Sequence, residues 1–259
     1  MSFKPIGIFD SGVGGTSIWK EIHKLLPFEN TIYLADSKNA PYGEKSEQEI
    51  IDLSSKNTEY LLKQECKLIV VACNTATTNA ISYLRNTYDV PFIGIEPAIK
   101  PAAIQSQSKT IGILATKGTL SSALFHNTSK NFSDGIKVIE QDGEGLVPLI
   151  ESGKVSSYET QKLLEKYLAP MIAQGIDYLV LGCTHYPYLI PAIQKILPAH
   201  VRIIDSGEAV AKQTKNVLEK MSLLADETIC KHQFYTNGNL DVLKEFLTNY
   251  DANVSYLDF

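Results

Sequence analysis

The sequence predicts an α/β protein made of two pseudo-symmetric halves, each a three-layer domain with a parallel sheet between helices. Two observations carry this prediction. Short runs rich in apolar and β-branched residues alternate with longer segments of helical periodicity along the whole chain of 259 residues, a pattern typical of parallel strands joined by crossover helices. Segments of the first half also recur in the same order in the second half, which indicates an internal repeat.

The expected strands are short, apolar and bounded by turn-forming residues. They lie near Pro5–Phe9, Thr31–Ala35, Leu68–Ala72, Phe92–Ile95, Thr110–Ala115, Lys137–Glu140, Tyr178–Gly182, Arg202–Asp205 and Ile229–Tyr235. Helices are expected to fill most of the remaining chain. The clearest helix start is the segment SEQE, where Ser46 and Glu49 form a capping-box pattern ahead of a periodic segment that runs to about Glu65.

Three pairs of segments define the repeat. IGIFDSGVGGTS from Ile6 aligns with IGILATKGTLSS from Ile111, LIVVACNT from Leu68 with YLVLGCTH from Tyr178, and FIGIEP from Phe92 with RIIDSG from Arg202. The alignment predicts a first domain of residues 1–97, to which the segment 208–259 returns, and a second domain of residues 98–207. The active site is expected in the cleft between them.

Composition narrows the possible functions. Charged residues make up 20% of the chain and its formal charge is -5, so neither a nucleic-acid partner nor a membrane surface is indicated. The N-terminus lacks a secretory signal, and no apolar run approaches the roughly 20 residues that span a bilayer, so we expect a cytoplasmic protein with reduced cysteines. Only two arginines occur, so an anionic small-molecule substrate must be bound largely by backbone N–H groups and hydroxyls.

Polar residues follow the expected strands at their carboxyl ends, the edge where a parallel sheet binds ligands. They are Asp10 and Ser11 after the first strand, Cys73, Asn74 and Thr75 after the third, Thr116 and Thr119 after the fifth, and Cys183, Thr184 and His185 after the strand LVLG. We expect Cys73 and Cys183 to approach one cleft from opposite sides. Both precede an expected helix N-terminus, which favours a thiolate. Cys66 and Cys230 have no such counterparts and are expected to be packing residues.

More than one chemistry fits these residues. Two opposed thiols could serve as the acid and the base that invert a stereocentre next to a carboxylate, while fixed N–H groups stabilise the carbanion. Alternatively, Cys183 could be a nucleophile with His185 as its base. A metal site at this pair is weakly supported, because zinc sites use a second close pair of ligands.

A nucleotide site is a further alternative. Gly12, Gly14 and Gly15 follow the first strand, and Asp36 ends the second strand about where a ribose-binding acid is expected. Against this reading, Ser17 stands in place of the last glycine of the dinucleotide motif, and the P-loop lysine is missing.

Five motifs resemble those of bacterial glutamate racemases: FDSGVGG at 9–15, ADSKNAPYGEKS at 35–46, VACNTAT at 71–77, VPLIESG at 147–153 and LGCTHYPYL at 181–189. The resemblance implies the interconversion of L- and D-glutamate without a cofactor or metal, by a two-base mechanism that supplies D-glutamate for peptidoglycan. It also makes a homodimer an expectation, although no sequence feature indicates the interface.

The resemblance further implies roles for individual residues. Cys73 would deprotonate D-glutamate and Cys183 L-glutamate, with Asp10, His185 and Glu151 as auxiliary catalytic groups. The implied substrate-binding positions are Asp10, Ser11, Pro41, Tyr42, Gly43, Asn74, Thr75, Thr116, Thr119, Thr184 and His185.

Overall fold

The computed structural model describes residues 3–132, 135–225 and 230–259. Its strands are β1 Ile6–Asp10, β2 Thr31–Ala35, β3 Leu68–Val71, β4 Phe92–Gly94, β5 Thr110–Ala115, β6 Lys137–Asp142, β7 Tyr178–Gly182, β8 Arg202–Ile204, β9 His232–Thr236 and β10 Asn253–Tyr256.

The α-helices alternate with these strands. They are α1 Thr16–Leu25, α2 Glu47–Lys63, α3 Asn74–Thr87, α4 Ile99–Gln105, α5 Lys117–Leu120, α6 Ala123–Phe132, α7 Leu146–Glu151, α8 Tyr158–Ala173, α9 Ile190–Ile196, α10 Gly207–Lys220 and α11 Leu240–Phe246. Short 3-10 helices lie at Ser37–Asn39, Tyr42–Glu44 and Tyr186–Leu189.

The strands form two parallel sheets. Among the described residues, one sheet has the order β10-β9-β2-β1-β3-β4 and the other has the order β6-β5-β7-β8, and every strand pair in both is parallel. The run β2-β1-β3-β4 therefore matches β6-β5-β7-β8 strand for strand. This arrangement confirms the predicted α/β class and the repeat.

Alternate residues of the strands face opposite sides of each sheet, because successive side chains of a strand point in opposite directions. In the first sheet Ile8 and Val70 lie in one core while Phe9 lies in another on the opposite face. Leu114 and Leu181 of the second sheet belong to the same core as Ile8. Because this core is continuous across both sheets, the predicted domain boundaries stay a prediction.

The C-terminal segment departs from expectation. β9 begins at His232 rather than near Ile229, which lies outside the described residues, and a further strand, β10, extends the edge of the first sheet beyond β9. β10 was not predicted because its four residues are partly or fully exposed and lack an apolar run. An edge strand has a neighbouring strand on one side only and is often short and polar, so it leaves little hydrophobic pattern in the sequence.

The predicted start of α2 is confirmed. Ser46 accepts a hydrogen bond from the Glu49 N–H at 3.3 Å, and the Glu49 carboxylate accepts one from the Ser46 N–H at 2.9 Å. Within the described ranges, no helix is long and apolar enough to cross a membrane.

Candidate active site

A small cavity, with a volume of about 10 Å³, lies where the two sheets present their strand ends to each other. It is lined from the first half by Ser11, Pro41, Tyr42, Gly43, Cys73, Asn74 and Thr75, and from the second by Thr116, Val147, Cys183, Thr184 and His185. The structure thus brings both cysteines to one cavity from opposite halves. Of the residues implied by the resemblance, Asp10, Thr119 and Glu151 lie behind this lining and contact it.

Cys73 caps the N-terminus of α3. Its sulfur accepts a hydrogen bond from the Ala76 N–H at 3.4 Å, and its thiol lies 3.7 Å from Ser11 Oγ. Burial and the nearby negative charge of Asp10 raise the pKa of the Cys73 thiol well above its usual value, although the Ala76 N–H acts in the opposite direction. At neutral pH the neutral thiol is therefore the resting form of Cys73.

Cys183 has a different local structure. The expectation of a helix N-terminus directly after it is wrong, because the chain makes a bend and a 3-10 helix before α9 begins at Ile190. The reason is the pair Pro187 and Pro191: the nitrogen of Pro191 carries no hydrogen and cannot bond to the Pro187 carbonyl as a continuous α-helix requires. Cys183 is supported instead by His185, whose Nδ1 lies 3.7 Å from the sulfur.

His185 connects Cys183 to Glu151. The imidazole is 1% exposed, and its Nε2 lies 2.6 Å from Glu151 Oε1 and 3.3 Å from the Gly14 N–H nitrogen. Nε2 cannot donate a hydrogen bond to Glu151 Oε1 and accept one from the Gly14 N–H at the same time. The shorter contact, with a carboxylate, is the stronger one, so we assign a proton to Nε2.

The protonation of His185 follows from the balance of its surroundings. Burial lowers the pKa of His185, but its hydrogen bonds to Cys183 and Glu151, and the negative charges of both, outweigh burial and raise that pKa well above its usual value. The imidazolium form donates Nδ1–H towards Cys183 and Nε2–H to Glu151. Positive charge next to the Cys183 sulfur stabilises negative charge on it.

Glu151 is fixed by both halves of the molecule. Besides His185, its carboxylate accepts hydrogen bonds from the Val13 N–H at 2.6 Å and from Ser37 Oγ at 2.7 Å. It stands at the C-terminal end of α7 with a side chain only 12% exposed. The side chain is therefore an anchored partner of His185 rather than a solvated charge.

Asp10 lies on the Cys73 side of the cavity. Its carboxylate accepts hydrogen bonds from the Gly15 N–H at 2.7 Å and from Thr184 Oγ1 at 3.3 Å. Burial raises the pKa of Asp10 from 3.8 to about 6, against the lowering effects of His185 and the Gly15 N–H. Near neutral pH the residue can therefore gain or lose a proton close to Cys73.

The glycines after β1 serve the second half of the protein. A Cβ at Gly12 would overlap the Glu151 carboxylate, and a Cβ at Gly14 would overlap the His185 ring. The loop is bare so that these two side chains can approach its backbone. The nucleotide hypothesis is disfavoured, because the space next to the loop is filled by Glu151 and His185, and Asp36 is also engaged with other side chains.

Hydroxyl groups and one amide complete the lining. The side-chain oxygens of Thr75, Thr116 and Thr119 lie 2.8 to 3.2 Å from one another across the two halves. Asn74 is 3% exposed, and neither its amide nitrogen nor its carbonyl oxygen has a hydrogen-bond partner among the residues that the structure describes. Because an unpaired buried amide is costly, Asn74 indicates a polar ligand in this cavity.

Tyr42 contributes to the cavity in a way that the sequence did not reveal. Its hydroxyl donates to Asp36 Oδ2 and accepts from Asn57 Nδ2 at 3.2 Å, so both of these hydrogen bonds are made within the protein.

Val147 lines the cavity but was not selected from the sequence. It lies within the motif VPLIESG, so the resemblance offered a signal, but a lone apolar residue at the start of a helix resembles any core position.

The remaining cysteines and the metal alternative can also be assessed. Cys66 is buried in a core against the first sheet, and burial raises its pKa to about 12. The Cys230 thiol donates to the Pro27 carbonyl at 3.1 Å. In the described parts of the chain, no group of three or more His, Cys, Asp or Glu side chains is arranged to hold a metal ion.

Comparison with known proteins places this geometry in context. The family model for Asp/Glu/Hydantoin racemases matches residues 6–214. A glutamate racemase from Ectopseudomonas mendocina is 44% identical over 244 residues, which cover 94% of this chain and 93% of the relative.

Solved structures agree. A glutamate racemase isoform from Bacillus anthracis has a TM-score of 0.90 at 31% identity, covering 100% of this chain and 99% of its own. The Escherichia coli glutamate racemase, in complex with L-glutamate and the activator UDP-MurNAc-ala, has a TM-score of 0.86 at 32% identity, covering 97% of this chain and 99% of its own.

The fold and its cysteine-lined cavity, taken with these similarities, define an isomerase of the amino-acid racemase class. The chain belongs to the Asp/Glu/Hydantoin racemase family. The resemblance to glutamate racemases noted in the sequence is confirmed.

Proposed function

We propose that this protein interconverts L- and D-glutamate by direct proton transfer between two cysteines and the substrate Cα. The observation that carries the proposal is the arrangement of Cys73 and Cys183, which reach one buried cavity from opposite halves and have unlike partners. The substrate is suggested by the relatives, which are glutamate racemases, and by the E. coli structure, which contains L-glutamate.

The proposed reaction begins with a thiolate at Cys183 and a thiol at Cys73. With L-glutamate bound, the Cys183 thiolate takes the α-proton, and the electron pair of the broken C–H bond stays on Cα as a planar carbanion. Cys73 then gives its proton to the opposite face, which yields D-glutamate, a thiol at Cys183 and a thiolate at Cys73. The reverse direction exchanges the two roles, as required of paired acid and base groups.

The auxiliary groups support this exchange. His185, held by Glu151, stabilises the Cys183 thiolate, and Asp10, whose pKa is about 6, lies on the Cys73 side where it can assist proton transfer. Backbone N–H groups near Asn74 and Thr75, at the start of α3, are positioned to share the carbanion charge.

Substrate recognition falls to neutral groups. We assign the substrate carboxylates to Ser11, Thr184, the three-threonine cluster and the unpaired Asn74 amide, because Arg and Lys are missing from the described lining of the cavity. Pro41, Tyr42 and Gly43 form one wall. In this proposal the enzyme needs no cofactor or metal, acts in the cytoplasm and supplies D-glutamate for peptidoglycan, with a homodimer expected from the family resemblance.

The function is tested by incubating the protein with L-glutamate in D₂O without added cofactor, while optical rotation and deuterium at Cα are followed. We expect rotation to decay to zero as deuterium enters Cα. Absence of both changes would refute the racemase proposal. Aspartate is run beside glutamate, because the family model covers both amino acids.

The mechanism is tested with Cys73→Ser and Cys183→Ser. Each should abolish racemisation with an unchanged circular-dichroism spectrum, because a serine hydroxyl is a far weaker base than a thiolate. Cys230→Ser, outside the cavity, is the matched control and should keep full activity. A single essential cysteine, with formation of a hydrolysis product, would instead support the nucleophile alternative.

A further inference from the structure

We propose that Asp36 is a positioning residue that holds one wall of the substrate cavity, the segment Pro41–Gly43, in place through Tyr42. This inference rests on the proposed racemase function and adds a residue to it. The sequence offered Asp36 only as a ribose-binding acid, and the structure gives its carboxylate different partners.

The Asp36 carboxylate is buried and fully engaged. It is 2% exposed and follows the last residue of β2. Its Oδ1 accepts hydrogen bonds from Asn237 Nδ2 at 2.6 Å and from Asn39 Nδ2 at 2.8 Å, and its Oδ2 accepts one from the Tyr42 hydroxyl. Burying a carboxylate is costly unless donors replace water, and here three donors do so.

These donors come from separate parts of the chain. Asn39 and Tyr42 belong to the loop after β2, whereas Asn237 follows β9 in the C-terminal segment. Asn237 also accepts a hydrogen bond from the Lys38 N–H at 2.9 Å, and Asn57 of α2 donates to the Tyr42 hydroxyl at 3.2 Å. The carboxylate is therefore the point at which the loop, α2 and the C-terminal segment are tied together.

The loop fixed in this way forms the cavity wall. Pro41, Tyr42 and Gly43 all line the cavity that contains the two cysteines. Gly43 packs closely against the opposite half: a Cβ on Gly43 would lie 3.0 Å from Thr116 Cβ, and a Cβ on Gly118 would lie 3.0 Å from Gly43 Cα. A small shift of the loop would therefore change both the cavity and the contact between halves.

The other end of β2 offers a matched control. Glu29, two residues before β2, is also 2% exposed, and its carboxylate pairs with Lys67 Nζ at 2.6 Å and accepts from the Ala225 N–H at 2.9 Å. Both acids are buried and bound by several donors at opposite ends of one strand. Only Asp36 lies at the end that carries the active site.

The experiment compares Asp36→Asn with Glu29→Gln in thermal melts and in steady-state kinetics with both enantiomers. Each change removes a charge but keeps the size of the side chain, so both variants should melt at lower temperatures than the wild type. For Asp36→Asn we expect kcat/KM to fall by roughly 10- to 100-fold through a rise in KM, because a displaced binding wall costs about that much. Glu29→Gln should keep wild-type KM and kcat.

The equilibrium constant provides an internal check on the measured kinetic constants. The equilibrium constant of a racemisation is 1, so kcat/KM must fall by the same factor for L- and D-glutamate. Wild-type kinetics in Asp36→Asn, measured well below its melting temperature, would overturn the positioning role and leave Asp36 a stabilising residue only.

A milder variant covers the case in which Asp36→Asn does not fold. Asn237→Ala removes one donor to Asp36 and the acceptor of the Lys38 N–H, so it should also raise KM more than it lowers kcat, by a smaller factor. An unchanged KM in that variant would overturn the proposal equally. Failure of the wild-type protein to racemise glutamate would instead refute the proposed function, so the two failures are distinguishable.

Discussion

Replacing Glu151 with glutamine tests the charge arrangement around Cys183. The change keeps the size of the side chain but removes the negative charge that lies 2.6 Å from His185 Nε2. Without that charge the pKa of His185 falls, the imidazolium is less populated at neutral pH, and the Cys183 thiolate loses its stabilising partner. A hydrogen bond to a charged group is worth about 1.5–3 kcal/mol, which corresponds to a loss of about 10- to 100-fold in kcat/KM.

The assay is racemisation of L-glutamate between pH 6 and 10, with Glu159→Gln as the control because Glu159 is an exposed acid on α8. In the wild type, activity that depends on the His185 imidazolium is lost as pH rises through the raised pKa of that residue. In Glu151→Gln this alkaline decline should begin at lower pH. Wild-type kcat/KM with an unshifted pH profile would refute the proposed link from Glu151 through His185 to Cys183.

Other predictions concern stability and local packing. Because the Asp10 pKa rises from 3.8 to about 6 on folding, its protonated form favours the folded state. The stability of the wild type relative to Asp10→Asn should therefore fall by about 2 kcal/mol between pH 4 and pH 6, since each unit of pKa difference corresponds to about 1.4 kcal/mol. Urea unfolding measures this, and a constant difference would contradict it. Gly14→Ala should lose most racemase activity, because its methyl group would displace the His185 ring. Gly135→Ala is the control: no described atom lies within 4 Å of the added Cβ, but φ at Gly135 is +69°, so this variant should lose some stability and keep its activity. Ser46→Ala should lower the free energy of unfolding by about 1 kcal/mol through loss of the N-cap, with kcat and KM unchanged. A change in kcat or KM would contradict this prediction and would show that the start of α2 affects the cavity.

The architecture was predictable because similar apolar strand segments occur in the same order in both halves of the sequence. β1, β3 and β4 of the first sheet and their counterparts in the second were readable from pattern alone, and the capping box located α2. β10 was not predictable, because an exposed edge strand bears little hydrophobic pattern. The prediction that a helix begins directly after Cys183 was wrong, because two prolines prevent a continuous helix there.

The candidate site was predictable where strand ends supply its residues, and less so where distant segments meet. Cys73 and Cys183 could be paired through the repeat, whereas the contact of Asp36 with Asn237 joins residues about 200 positions apart that no local pattern relates. The glycines after β1 show the same limit. A glycine-rich loop after a strand is typical of a phosphate-binding site, yet the groups that contact this loop are Glu151 and His185 from the other half.

The two thiols have unlike neighbours, a carboxylate beside Cys73 and an imidazole beside Cys183, although the sheets that carry them are related by repetition. In the proposed reaction, a molecule that has just converted L-glutamate ends with a thiol at Cys183 and a thiolate at Cys73. Its protonation state therefore depends on which enantiomer it converted last. To convert another L-glutamate, the protein must regain the thiolate at Cys183 and the thiol at Cys73 by proton exchange with water, and the unlike neighbours make the two states unequal in free energy.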